Sequence, residues 1–273
     1  MKVRQPGFTL LEILMVTVLA AITLAAVYET LTVQERTSRM IGAVGEDRTS
    51  LRTALGLLES ELREAGTIGD SAIGGSDLRV ASSDSVVFRA QRKVGFVCSV
   101  SPSGQWLLLH SPGEPFQAGD SLLVFVDGDS LRYQDDRWSV GSVSSATPAS
   151  DAECEAHWPG APLRKVQIDD LDLTGVRVGA PIRSFEWVTY GLYDFGDRGW
   201  GLGRHRENED AALLVGGLAG PGRGLVFEYF DLRGQPTRDV SAVARMRIGM
   251  RTDSASSDAP AANLSTTLFL RNN

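Results

Sequence analysis

Glu12 is the one charged residue in an apolar run from Phe8 to Tyr28. A carboxylate costs about 2.5–3.5 kcal/mol at the centre of a membrane helix and less near its end. A group placed there needs a partner, and finding that partner is the first question. Other residues able to do chemistry form no constellation. His110, His157 and His205 stand apart, without metal-ligand spacing around them. Asp127 with Asp129, Asp135 with Asp136, Asp169 to Asp172, and Glu207 to Asp210 follow no calcium-loop pattern, so they read as solvated loop charge. GLAGPGRG, residues 217–224, contains Pro221 and precedes a strand-like run, which fits a turn rather than a dinucleotide loop. Nucleophile-elbow, P-loop and H-E-x-x-H patterns do not occur. The expectation is a protein that is not an enzyme, with no metal and no cofactor.

The chain has 273 residues, a formal net charge of −7 and a pI near 5.1. That balance argues against a general phosphate-binding surface, so nucleic acid is a disfavoured partner. Cys98 and Cys154 are the two cysteines. They read as free thiols in a cytosolic protein and as a candidate disulfide outside the cytoplasm. Such a bridge contributes roughly 4 kcal/mol in the chain-entropy model.

As a helix, Phe8 to Tyr28 spans roughly 31 Å, the thickness of a bilayer's hydrocarbon core. Lys2 and Arg4 precede it, so the positive-inside rule keeps the N-terminus cytoplasmic and sends the bulk of the chain across. Three readings compete. A secretory signal peptide cut near Thr23-Leu24-Ala25 has a poor cleavage site and an odd acidic residue. An uncleaved anchor explains the length but not the order Gly-Phe-Thr-Leu-Leu-Glu. The third reading accounts for every residue.

The stretch MKVRQPG followed by FTLLEILMV resembles the start of type IV pilins and pseudopilins. The resemblance implies a basic leader cut by a prepilin peptidase between Gly7 and Phe8, and N-methylation of the new amine at Phe8. It implies that Glu12 pairs with the terminal amine of a neighbouring subunit and sets the axial register of two helices. ELREAG, residues 61–66, and the order of the last elements resemble minor pilins of the PilW type and the large minor pseudopilin of type II secretion. Residues 95–220 match nothing. The partners implied are prepilin peptidase, other pilin or pseudopilin subunits, and the bacterial inner membrane, crossed once with the C-terminal domain outside. With that domain outside the cytoplasm, Cys98 and Cys154 are expected to pair. The role implied is initiation or capping of a type IV pilus or secretion pseudopilus. The alternative is a pilus-tip adhesin or DNA-uptake subunit.

The chain divides into a leader at 1–7, a membrane helix at 8–28, its extracytoplasmic continuation at 29–66, and a β-rich domain at 67–273. Leu51, Leu55, Leu58, Leu62 and Ala65 recur at spacings of four and three, one face of a helix. Gly42 and Gly45 are candidate bends, and Gly66 a stop. Beyond 77 the period changes to two, in runs such as SVVFRA, GFVCSV, QWLLLH, SLLVFV and GLVFEYFD. In ARMRIGMRT, Met246, Ile248 and Met250 alternate with arginines, a half-buried strand with a basic outer face. SVSSATPASDAEC, residues 142–154, reads as a surface loop. Residues 194–210 read as a long loop offering Trp200, Arg204 and Arg206 to a partner. The fold class expected is α+β, a long N-terminal helix on antiparallel sheet.

Overall fold

The leucine stripe does close a core. In the computed structural model a single helix, α1 (Leu10–Leu62), runs without a break, and Leu51, Leu55, Leu58 and Leu62 are buried along its last turns. The structure describes residues 9–65, 76–101, 103–128, 136–160, 162–207, 209–253 and 261–270. Gly66 lies outside them. Gly42 and Gly45 do not interrupt α1. Each costs about 1 kcal/mol of helix propensity, too little to break a helix of 53 residues held at one end by packing.

Two sheets follow. Their strands are β1 (Leu78–Ala81), β2 (Ser85–Val100), β3 (Trp106–His110), β4 (Ser121–Val126), β5 (Arg137–Ala149), β6 (Leu163–Asp169), β7 (Pro181–Asp194), β8 (Trp200–Arg206), β9 (Ala212–Val215), β10 (Leu225–Phe230), β11 (Arg245–Arg251) and β12 (Asn263–Phe269). A short helix, α2 (Ala152–His157), sits between β5 and β6. All the strand pairings are antiparallel. The larger sheet runs β1-β2-β3-β6-β5-β4-β7-β8-β9, and β2 also pairs with β7. That extra pairing closes β2-β3-β6-β5-β4-β7 into a six-stranded ring.

β2 and β7 are therefore shared. The N-terminal half of β2 and the C-terminal half of β7, together with β8 and β9, face α1; the other halves enter the barrel. The register shifts between Gln91 and Val94, where β2 turns from one layer into the other. Each half has its own core. α1 packs between the larger sheet and the sheet β10-β11-β12, burying Phe88, Tyr190, Leu202, Met246 and Ile248 with the leucine stripe. Inside the barrel lie Leu107, Leu109, Phe116, Leu122, Val124 and Ile182. Phe116 fills the space beside Gly95, where an added Cβ would come within 2.6 Å of its ring. The barrel is filled by side chains rather than hollow.

Three local expectations are corrected. SVVFRA and GFVCSV form one strand, because pairing with β7 resumes at Val94 after a bulge at Arg92 and Lys93, where the Lys93 amide donates to the Ser184 hydroxyl at 3.0 Å. Residues 142–154 are not a loop: β5 continues to Ala149 and α2 follows, capped by Asp151 on the Glu153 and Cys154 amides. Residues 194–210 are not one loop: β7 ends at Asp194, a tight turn in which Gly196 and Gly199 take positive φ follows, and β8 takes Trp200–Arg206. Met246, Ile248 and Met250 are buried and Arg247 and Arg251 exposed, as the alternation predicts.

Leu58 is fully buried between the sheets. Leu58→Ala is expected to cost about 2–5 kcal/mol, read as a lower urea midpoint with an unchanged slope.

Candidate functional site

The sequence places its most distinctive residues at the start of α1. Thr9 is the helix N-cap, and its hydroxyl accepts the Glu12 amide at 3.3 Å. The Glu12 carboxylate reaches back to the Thr9 amide at 3.2 Å and the Thr9 hydroxyl at 3.3 Å. This capping box satisfies the Thr9 and Glu12 amides and holds the carboxylate at the positive end of the helix. Thr9 was missed in reading the sequence, although the pattern Thr-Leu-Leu-Glu is a capping-box signature. Gly7 and Phe8 lie outside the described residues.

After this cap the helix carries its apolar side chains uncovered. Leu10, Ile13, Leu14, Val18, Leu19 and Ile22 are all exposed. None of the most apolar stretch of α1 is buried inside the fold. So much apolar area is stable only in lipid or against other helices. Threonines along the segment return their hydroxyls to the helix's own carbonyls, as Thr17 does to Leu14 and Thr23 to Leu19. Glu12 is left as the polar group of this surface able to bond a partner through charge.

The far end of α1 is tied to the head by charges that the sequence did not reveal. Glu61 pairs with Arg92 at 3.3 Å and accepts the Tyr190 hydroxyl at 3.0 Å. Glu186 pairs with Arg92, with Arg204 at 3.0 Å and with Arg206 at 2.6 Å. Burial works against the charge on Arg92, but Glu186 and Glu61 outweigh it and raise its pKa. Burial, then the Glu61 charge, pushes the Tyr190 phenol well above its usual range. Arg204 and Arg206 thus serve this network on β8, and Trp200 lies half-buried on the same strand. They do not form the free loop surface expected of them. A cleft of about 530 Å³ opens beside the network, lined by Arg92, Lys93, Asp120, Glu186 and Trp187 among others. Lys93 is held there by Asp120 at 2.8 Å.

Cys98 and Cys154 are disulfide-bonded, with Cα atoms 5.8 Å apart. The bond pins α2 to the outside of the barrel, over Leu108 and Leu163. Beside it His110 is buried and stacked on Trp158. His157 bonds the Glu153 carbonyl and also packs against Trp158, whereas His205 bonds the Arg206 carbonyl on β8. Among the described residues no group of three His, Cys, Asp or Glu side chains is placed to hold a metal ion. In the folded, unreduced protein both cysteines are expected to resist alkylation. Reduction should lower stability by roughly 4 kcal/mol in the chain-entropy model, as a drop in melting temperature.

A capped, uncovered apolar helix feeding a β-rich head fits a membrane-anchored protein. Residues 2–28 match the family described as the prokaryotic N-terminal methylation motif. This is the type IV prepilin motif, and with the long apolar helix it is consistent with the type IV pilin and pseudopilin family. No curated protein and no solved structure matches the chain.

Proposed function

We propose that the chain is a prepilin that matures into a minor pilin or pseudopilin, of the PilW type or the large minor type of type II secretion. The prepilin motif implies processing by a prepilin peptidase and assembly with other pilins. In this reading the peptidase removes residues 1–7 and N-methylates Phe8. Residues 8–28 hold the subunit in the inner membrane, residues 29–66 continue the helix outside, and the remainder forms the head. The subunit then leaves lipid for a filament, where it helps to initiate or cap assembly. It acts by packing rather than by catalysis.

One observation carries this reading. The methylation motif covers the start of a helix whose apolar surface up to Tyr28 is uncovered, and the one carboxylate of that stretch, Glu12, lies in the first turn. Cleavage before Phe8 creates an ammonium about one turn from Glu12. Pairing that ammonium with a neighbour's Glu12 removes the cost of moving both charges through lipid. The size of the head supports a minor rather than a major role.

The test is to shear surface filaments from cells producing the full-length chain and probe them for it. Substoichiometric recovery with the filaments supports a minor subunit. Retention of all the protein in the membrane, with filaments assembled normally in its absence, would reject the assembly role.

A further inference from the structure

The three-stranded sheet ends in one closed edge and one open edge. At β10 the Phe227 amide donates to the Ser83 carbonyl at 2.8 Å, and the Thr237 amide donates to the Tyr229 carbonyl at 3.0 Å. At β12 the bonds from Leu270 to Ala244 and from Thr252 to Ala262 show that even-numbered residues face β11. By the two-residue alternation, Asn263, Ser265, Thr267 and Phe269 point their amides and carbonyls away from the sheet. These groups make no hydrogen bond among the described residues. The strand is seven residues long and has no proline and no charged side chain, so it lacks the usual devices that blunt an edge.

The electrostatics around this edge run against the charge of the whole chain. On the inner side Thr266 lies 3.5 Å from Glu59, which brings the flank of α1 carrying Arg52, Glu59 and Arg63 against β12. The spacings from Glu59 are seven residues back and four forward, one side of a helix. On the outer side the neighbouring strand presents Arg245, Arg247 and Arg251. Glu59 is paired with Arg63, and Glu228 with Arg247. Arg52, Arg245 and Arg251 make no ion pair among the described residues, and Arg245 lies over the Phe230 ring. Both faces of the edge are therefore positive in a chain of net charge −7. At its C-terminal end Phe269 and Leu232 are 69% and 71% exposed. They rim a pocket of about 230 Å³ backed by Ala244 and Leu270, with Arg245 and Asp231 also lining it, so on the outer side the three arginines outnumber Glu228 and Asp231 by one.

We propose that β12 receives an extended, acidic segment of a partner protein, which adds to the sheet as a fourth strand. The open backbone groups supply the hydrogen bonds. Carboxylates on both faces of the incoming strand meet Arg52 on one side and Arg245 and Arg251 on the other. One apolar side chain of the partner lies against Phe269 and Leu232. This surface belongs to the head and stands whether or not the leader is cut.

The test places the photocrosslinker p-benzoylphenylalanine at Ser265 of the full-length chain in the cells that make it, and maps each adduct by mass spectrometry. The expected adduct lies in an acidic, extended run of another protein. Thr267→Pro removes one outward amide without touching the bonds to β11 and should reduce the adduct about tenfold, the upper size of one backbone hydrogen bond; Thr267→Val should not. A double variant, Arg52→Glu with Arg245→Glu, leaves the backbone intact and should give a loss of at least that size. Four results would overturn the proposal: no adduct, an adduct to a second copy of this chain, an adduct to a helical or basic segment, or one insensitive to both the proline and the charge reversals.

Discussion

Gly7→Ala is expected to leave the protein at its full precursor length in the membrane. In the prepilin reading the peptidase cuts after Gly7, where the smallest side chain lets the backbone lie closest to the enzyme. The leader MKVRQPG would then stay attached. Lys2 and Arg4 would remain joined to the apolar helix and hold its start at the cytoplasmic face. The effect is near all-or-none: the mass retains seven residues, N-methylation is absent, and recovery with filaments falls to background. Immunoblotting against a peptidase-deficient strain checks it, and normal processing of Gly7→Ala would refute cleavage at this bond.

Glu12→Ala separates cutting from assembly. The substitution lies five residues beyond the leader, so removal of residues 1–7 should proceed as in the wild type. Locally, the loss of the capping box costs about 1 kcal/mol at the helix start, which the membrane absorbs because the segment stays apolar. The larger effect falls on entry into filaments, where the incoming subunit would leave a neighbour's terminal amine buried without a partner. Breaking a buried pair in that way costs about 3–5 kcal/mol, enough for a fall in incorporation of roughly a hundredfold or more. Thr9→Val provides the control. It removes the cap hydroxyl that Glu12 bonds in the free chain and leaves the carboxylate in place, so incorporation should stay close to normal. If Glu12→Ala enters filaments as readily as the wild type, the carboxylate is only a cap.

The helical half of the fold could be read from the sequence because its signals are local. The stripe Leu51, Leu55, Leu58, Leu62 repeats within a few turns, and every member is buried. Alternation at Met246, Ile248 and Met250 fixed which face of β11 is inside. The barrel was not legible. Its closure depends on β2 pairing with β7, as in Gly95 with Ile182, and no local pattern encodes a contact between residues so far apart. The polar stretch Gln91-Arg92-Lys93 looks like a turn between two strands. In the fold, Arg92 is held by Glu61 and Glu186 and Lys93 by Asp120, so the strand runs through. Arg204 and Arg206 were misread for the same reason, since their partners Glu61 on α1 and Glu186 on β7 are remote in sequence. At the candidate site, Glu12 was legible from its setting in an apolar run. The in-chain role of Thr9 lay in a four-residue pattern that the membrane signal overshadowed.

These placements suggest a division of labour. The apolar half of α1 meets lipid or other helices, and its buried half carries the head through the leucine stripe and the Glu61 network. An axial pull on the helix would reach the sheet through Arg92, Tyr190 and Arg204. The disulfide packs in a separate cluster with Leu108 and Leu163, outside that path. Its reduction should loosen α2 while leaving the packing of α1 intact.

The central claim is that the functional chain begins at Phe8. Intact-mass and N-terminal analysis of the protein purified from its native membrane tests it most directly. The account predicts a chain lacking residues 1–7 and beginning with N-methylated phenylalanine. A chain beginning at Met1 would make α1 a plain anchor, and one beginning near Ala26 would make the head a secreted domain. Either result would contradict the role given to Glu12.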